Sequence, residues 1–180
     1  MHETSLENMA LCIERHFPPQ LQDGAAKIVV DVGGANVNGS YRDLFAGMNI
    51  RYIAADMTDA PGVDLLMRDP YKIPLPDNAA DLVISGQMLE HCEFFWQSFV
   101  EMIRVLKPSG RLFLIAPSTG PIHRYPVDCY RFYPDAYAAL AKYANCRLIE
   151  CWHDRRGEFE DLVGVFAKFY DAEHFPIVGS

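Results

Sequence analysis

The densest concentration of side chains able to do chemistry is STGPIHRYPVDCYRFYPD, at positions 118–135. An imidazole titrates nearer neutral pH than any other side chain, so His123 is the candidate base for drawing a proton from a nucleophile. A hydrogen-bonded structural histidine is the alternative. Asp128 either orients His123 or pairs with Arg131, and Tyr125, Tyr130 and Tyr133 either wall a pocket or pin the loop to the domain. His91, in the run QMLEH with Glu90 before it, is a second candidate for a cleft contact, with capping or packing as the competing role. No compact group of His, Asp and Glu has ligand spacing, so no metal is expected. The five cysteines, Cys12, Cys92, Cys129, Cys146 and Cys151, contain no CxxC pair and support neither a zinc site nor a disulfide framework.

A different chemistry is written in IVVDVGGANVNGSYRDLF, positions 28–45, which reads as a buried strand, a glycine-rich turn and then a helix. Such a turn presents backbone N–H groups and a helix N-terminus to a ligand. Gly33 and Gly34 open it, and Asp31 precedes it. Asp56 ends the next apolar run, IRYIAAD, about where an α/β fold offers a carboxylate to a ribose. The sequence Gly33-Gly34-Ala35-Asn36-Val37-Asn38-Gly39 is not the G-x-G-x-x-G of a pyrophosphate turn. Asp31 would repel a pyrophosphate but suits a cationic amino-acid end. A ligand-free tight turn, with Asp31 capping the following helix, is the plainer alternative. A nicotinamide-dependent reductase is the weaker enzymatic reading, because the Tyr-x-x-x-Lys pattern is missing: Cys129 follows Tyr125 at that spacing, and Ala141 follows Tyr137.

These residues need a scaffold, and strands alternating with helical segments supply a parallel sheet covered on both faces. Leu6, Met9, Ala10 and Ile13 form a helical stripe that Pro18-Pro19 stops. Strands are expected at 27–32, 51–55, 63–66, 81–85 and 111–116, with Pro74, Pro76 and an Asp77-Asn78 turn before the fourth. Phe95, Phe99, Ile103 and Leu106 recur at helical spacing, and Lys107-Pro108-Ser109-Gly110 ends that helix with Gly110 as a left-handed cap. Phe94, Phe95, Trp96 and Phe99 read as packing rather than a cofactor box. Pro134 starts a further helix, and segments 146–152 and 162–169 close the sheet as an antiparallel pair.

At 180 residues and 50% hydrophobic content, one domain over 1–180 is expected, with 1–24 as an N-terminal helical extension and 117–134 as the acceptor-site loop. Sixteen basic against 24 acidic side chains, a formal net charge of −8, leave no basic stripe for a nucleic-acid partner. No apolar run reaches the roughly 20 residues that span a bilayer, and the acidic, amphipathic start does not read as a signal peptide. Cytoplasmic residence is the expectation.

Four segments in order, VVDVGGANVNGSYRDLF, YIAAD, RDPYKIPLPDNAADLVISGQMLEH and EMIRVLKPSGRLFLIAP, resemble the class I S-adenosylmethionine-dependent methyltransferases, in particular the methyltransferase-11-like group, over about residues 25–170. The resemblance implies a Rossmann-like seven-stranded mixed sheet of order 3-2-1-4-5-7-6 with helices on both faces, and S-adenosyl-L-methionine as cofactor. It implies that Asp31 and Gly33, with Gly34 in the same turn, line the methionine side, that Asp56 takes the ribose hydroxyls, that Met57 flanks adenine and Asp69 meets its amino group, and that Gln87 and Met88 line the cleft. The implied reaction is methyl transfer to a small-molecule, sugar or lipid-linked acceptor, the last two on the strength of the HRYPVDCYRFYP stretch. Ala35 and Val37 replace two glycines of the usual turn, and Ala80 stands where an aromatic residue commonly precedes Asp81. A non-catalytic binding protein on the same fold is the competing class. Because one domain of this size leaves the acceptor site shallow, a second copy of the chain is a candidate for completing it.

Overall fold

The apolar runs that read as strands are buried on both sides, as strands in the middle layer of a sandwich must be. The computed structural model describes residues 2–18 and 24–169. Its strands are β1 (Lys27–Val32), β2 (Ile50–Asp56), β3 (Leu65–Leu66), β4 (Ala80–Gly86), β5 (Leu106–Pro117), β6 (Cys146–His153) and β7 (Asp161–Lys168). They form one seven-stranded sheet in the order β3-β2-β1-β4-β5-β7-β6. The first five are mutually parallel, and β7 runs antiparallel to both neighbours.

Period-two alternation along the strands divides the apolar side chains between two cores. Val29, Leu82, Ile84, Phe113, Ile115, Val163 and Val165 face helix α1 (Glu3–His16) and the short 3-10 helix Tyr41–Phe45. Val30, Val83, Leu112, Leu114 and Phe166 face the other way, toward α2 (Phe95–Val105) and α3 (Pro134–Tyr143). Helices therefore cover both faces. None among the described residues is long and apolar enough to cross a membrane.

Four local expectations are revised. The glycine turn is not followed by an α-helix: residues 33–40 form an irregular loop, and only the five-residue 3-10 helix capped by Ser40 comes after it. Five residues and an exposed loop leave little apolar face from which to build a longer helix. The segment 107–110 belongs to β5, and it is Ser109, at φ +61°, that takes the left-handed position. Gly110 is needed for a different reason, since a Cβ there would lie 2.9 Å from the Lys107 carbonyl. The buried face of α1 is Ser5, Asn8, Met9, Cys12 and Ile13, while Leu6 and Ala10 are only half-buried. That face is more polar than a hydrophobic stripe suggests because Asn8 and Ser5 bond to groups beneath the helix. β3 shrinks to two residues, because Val63 closes a turn on the Ala60 carbonyl. Pro19, one of the two prolines expected to stop α1, lies outside the described residues.

Candidate active site

In a doubly wound sheet the strand order reverses between β1 and β4, and the loops leaving those strands in opposite directions open a crevice at their C-terminal ends. Here that crevice is a cleft of about 720 Å³. Its walls are the loop after β1, residues 56–58 at the end of β2, residues 86–88 and 90–93 at the end of β4, and residues 123–127 of the long loop after β5. A volume of that order suits a small organic ligand.

Two glycines shape the first wall. Gly33 sits at φ +81°, and a Cβ there would come within 2.6 Å of the Met88 side chain. At Gly34 a Cβ would meet the Asp31 carbonyl and carboxylate at 2.9 Å. The turn thus packs bare backbone against Met88 and over Asp31, with no room for a side chain at either position. Ala35, where the usual turn has glycine, lines the cleft and donates its N–H to Asp56 Oδ2 at 3.1 Å. Asp56 Oδ1 accepts from Thr58 N at 2.8 Å, so two backbone donors fix this carboxylate at the end of β2. Each oxygen retains a lone pair for a ligand.

Of the positions expected on the cofactor side, Gly33, Asp56, Met57, Gln87 and Met88 line the cleft, whereas Asp31, Gly34 and Asp69 do not. Asp69 accepts from Tyr71 N in a local turn, and it is its neighbours Pro70 and Tyr71 that reach the wall. Gln87 adopts φ +58° and donates from Nε2 to the buried Asp161 at 2.8 Å. His2 also donates to Asp161, and it lines the cleft from the start of the chain. Nothing in the local sequence around His2 marks it as a cleft residue.

Asp31 is buried, and its Oδ2 accepts from Tyr52 Oη at 2.6 Å. Burial pushes its pKa up from the ordinary 3.8 to about 7, against the opposing pull of the Tyr52 hydrogen bond. A group that binds its proton more tightly when folded contributes stability that is complete below its unfolded pKa and is lost as pH rises through its folded one. Asp31 therefore costs the fold progressively more from about pH 4 to pH 7, at about 1.4 kcal/mol per unit of pKa difference, and the full amount above that. Asp31→Asn keeps an acceptor for Tyr52 and removes the charge. Its melting temperature is expected to match the wild type near pH 4.5 and to exceed it at pH 8. Coincident thermal melts at both pH values would show that Asp31 ionises freely.

The opposite end of the cleft is built by Glu90, His91 and His123, contributed by the loops after β4 and β5. Glu90 has no exposed surface and neither carboxylate oxygen has a hydrogen-bond partner. Burial pushes its pKa up to about 8. His91 Nε2 lies 3.7 Å and His123 Nε2 4.0 Å from Glu90 Oε1, and the two rings meet edge-on at 4.8 Å between centroids. His91 Nδ1 donates to the Val127 carbonyl at 2.6 Å, and burial lowers its pKa.

Asp128 contacts both of its candidate partners, Arg131 and His123. It receives Arg131 in a two-pronged pair at 2.6 and 2.9 Å, which holds its carboxyl well below the usual range. Asp128 Oδ2 also accepts the His123 backbone N–H at 2.7 Å and lies 3.4 Å from His123 Nδ1. Among the loop tyrosines only Tyr125 lines the cleft. Tyr130 pins the loop through the Glu93 carbonyl and the rings of Phe95 and Phe132, and Tyr133 is exposed beside α3. Phe99 is core, Phe95 packs against that core, and Phe94 is exposed over Tyr71.

Comparison with known proteins agrees with this architecture. The methyltransferase domain family Methyltransf_11 matches residues 31–114. The chain is 34% identical over 70 residues, 39% of its own length, to malonyl-[acyl-carrier protein] O-methyltransferase of Methylococcus capsulatus, of which that match spans 25%. A second relative, an uncharacterized methyltransferase of Mycobacteroides abscessus, is 29% identical over 63% of this chain and 49% of its own. Among solved structures, the 1,6-didemethyltoxoflavin-N1-methyltransferase of Burkholderia thailandensis, which holds 1,6-didemethyltoxoflavin and S-adenosylhomocysteine, superposes with a TM-score of 0.71. That superposition covers 93% of this chain and 80% of the other at 16% identity.

Proposed function

Because the chain has the class I S-adenosylmethionine-dependent methyltransferase fold, we propose that it binds S-adenosylmethionine in this cleft and transfers the methyl group to a small-molecule, sugar or lipid-linked acceptor. The observation that carries the reading is the pairing, within one cleft, of the bare Gly33 turn and the fixed Asp56 carboxylate with the Glu90, His91 and His123 wall. The donor set fits the cofactor: a bare backbone turn for its amino-acid end, a carboxylate at the end of β2 for ribose hydroxyls, and the exposed Met57 beside it for an adenine face. Bound there, S-adenosylmethionine supplies a methyl group on a sulfonium that is its own leaving group.

The protein is then left with two tasks. It must hold the acceptor's nucleophilic atom in line with the methyl carbon, and it must accept the proton which that atom gives up. Tyr125 and the 123–127 segment form the wall against which an acceptor rests. His91 keeps Nδ1 protonated by donating to Val127, so its Nε2 carries the lone pair. His123 Nδ1 lies 3.2 Å from the Pro121 carbonyl and 3.5 Å from Arg131 Nη2, and in the tautomer that donates to Pro121 its Nε2 is free as an acceptor.

Calorimetric titration of S-adenosylmethionine tests the cofactor half of this reading. Asp56→Ala is expected to weaken binding by roughly 1.5–3 kcal/mol, about 10- to 150-fold, because an ionised acceptor is lost from two hydroxyls. Asp56 also anchors Ala35 and Thr58, so Asp56→Asn, which keeps one oxygen for these donors, should lose less. Equal affinity in wild type and both variants would refute the assignment. Turnover with an acceptor library then separates an enzyme from a binding protein. That step matters because the [4+2]-cyclase SpnF superposes with a TM-score of 0.70 over 91% of this chain at 14% identity, so fold alone does not fix the reaction.

A further inference from the structure

A buried carboxylate with two unpartnered oxygens is costly unless something cationic or hydrogen-bonding occupies the space it faces. Glu90 is such a group, and the nearby Arg131 guanidinium turns its two terminal nitrogens to Asp128 in a two-pronged pair and makes no hydrogen bond to Glu90, its Nε being buried without a partner as well. What Glu90 does face is a pair of imidazole nitrogens. Glu90, His91 and His123 each offer one ligand atom to a set that lies within 4.8 Å, and the Nε2 atoms of the two histidines stand 3.7 and 4.0 Å from Glu90 Oε1. We propose that Glu90, His91 and His123 hold a divalent transition-metal ion, zinc or a metal of similar preference, with its open coordination position on the cleft.

Bonds of about 2.0–2.2 Å at tetrahedral angles place ligand atoms about 3.4 Å apart. The separations from Glu90 Oε1 are 3.7 and 4.0 Å and all three ligand atoms lie within 4.8 Å of one another, so side-chain rotations that draw the two imidazoles inward would bring the set to coordination distance. The surroundings are organised as an outer shell. A ligating histidine characteristically donates its second ring N–H to a carbonyl or carboxylate, which sets the tautomer and turns the other nitrogen to the ion. His91 Nδ1 donates to the Val127 carbonyl at 2.6 Å. His123 Nδ1 lies between the Pro121 carbonyl at 3.2 Å and the Asp128 carboxylate at 3.4 Å.

Two histidines and one carboxylate leave a coordination position for water or an acceptor oxygen, the arrangement of a catalytic rather than a structural site. An acceptor hydroxyl or carboxylate bound there would be oriented, and a hydroxyl would release its proton to solvent more readily. The ion's part in methyl transfer rests on the reading given above, but its binding does not.

Titrating zinc chloride into the chelator-stripped full-length chain tests the site, with bound metal counted by elemental analysis after gel filtration. One zinc per chain is expected. His123→Ala and Glu90→Gln should each weaken binding at least about 100-fold, and Asp128→Asn, which removes the outer-shell partner, about 10- to 100-fold. Circular dichroism checks that each variant folds. Should Glu90→Gln not fold, the partly exposed His123 still decides the matter. Cys92→Ser and Cys129→Ser should bind as wild type. Absence of stoichiometric zinc overturns the proposal, as does zinc that survives His123→Ala or departs with the cysteine variants. S-adenosylmethionine binding without zinc binding would refute the ion and leave the methyltransferase reading intact; zinc binding without the cofactor would do the reverse.

Discussion

Turnover of the His123→Gln variant is expected to fall by roughly 10²- to 10⁴-fold, with S-adenosylmethionine affinity unchanged. Glutamine preserves a polar group of similar reach but offers no basic nitrogen. The loss therefore falls on the step in which the acceptor gives up its proton, and not on cofactor binding at the Gly33 and Asp56 end of the cleft. A free imidazole and an ion-holding imidazole both require His123 Nε2, but they differ under chelation. If the imidazole acts alone, a chelator leaves the wild type unchanged. If it holds an ion, the chelator brings the wild type down toward the variant and zinc restores it. Replacement of Tyr125, which lines the cleft on the proposed acceptor wall and is not proposed to accept a proton, should instead raise acceptor KM with a smaller change in kcat. Near-normal kcat for His123→Gln with a verified acceptor would remove it from the reaction.

Strands and helices were largely readable from the residues because their signals are local. The apolar run at 27–32 coincides with β1, and the spacing of Phe95, Phe99 and Ile103 locates α2. Both patterns depend on which face a side chain must bury, and that is fixed within a few positions. The 3-10 helix after the glycine turn was not legible, because Tyr41 and Phe45 at four-residue spacing are equally consistent with a full helix. Ser109 in place of Gly110 at the left-handed position shows the same limit: glycine permits that conformation but does not claim it.

The candidate site was legible only as separate pieces. Glu90 and His91 are adjacent in the chain, but His123 reaches them through a loop pinned by the Arg131–Asp128 pair and by Tyr130. Metal-ligand spacing is a pattern along the sequence, so a set assembled across two loops leaves no trace in it, and the expectation of no metal cluster followed from that. Asp31 illustrates the converse. Its place before the glycine turn points to a ligand, whereas its burial under Gly34 and its bond to Tyr52 give it a structural partner. Gln87 is likewise tied to Asp161, 74 positions away in sequence, and no local reading finds that bond.

The second large effect arises from a glycine that sequence reading passes over. Gly86 ends β4 and lines the cleft, and a Cβ built there would lie 1.9 Å from Tyr41 Oη and 2.7 Å from its Cζ. Tyr41 cannot easily give way, since it is buried in the core under α1 and its hydroxyl shares a 2.6 Å hydrogen bond with Ser5 Oγ. Gly86→Ala must therefore displace the ring, break that bond or bend the strand. Overpacking costs about 1–3 kcal/mol and a stranded buried hydroxyl about as much again, so a loss of roughly 3–5 kcal/mol is expected. For a chain of this size that lowers the melting temperature by on the order of 10 °C. The backbone at Gly86 is not in the left-handed region, so the penalty is one of space and is removed by making room. In a Tyr41→Ala background the same Gly86→Ala change should cost only a few tenths of a kcal/mol, a coupling that a double-mutant cycle by denaturant unfolding measures directly. Equal penalties in both backgrounds would refute the clash. The pairing also joins the two sides of the cleft: Tyr41 follows the loop that carries Gly33, and Gly86 precedes Gln87 and Met88, so a shift of the Tyr41 ring acts on both.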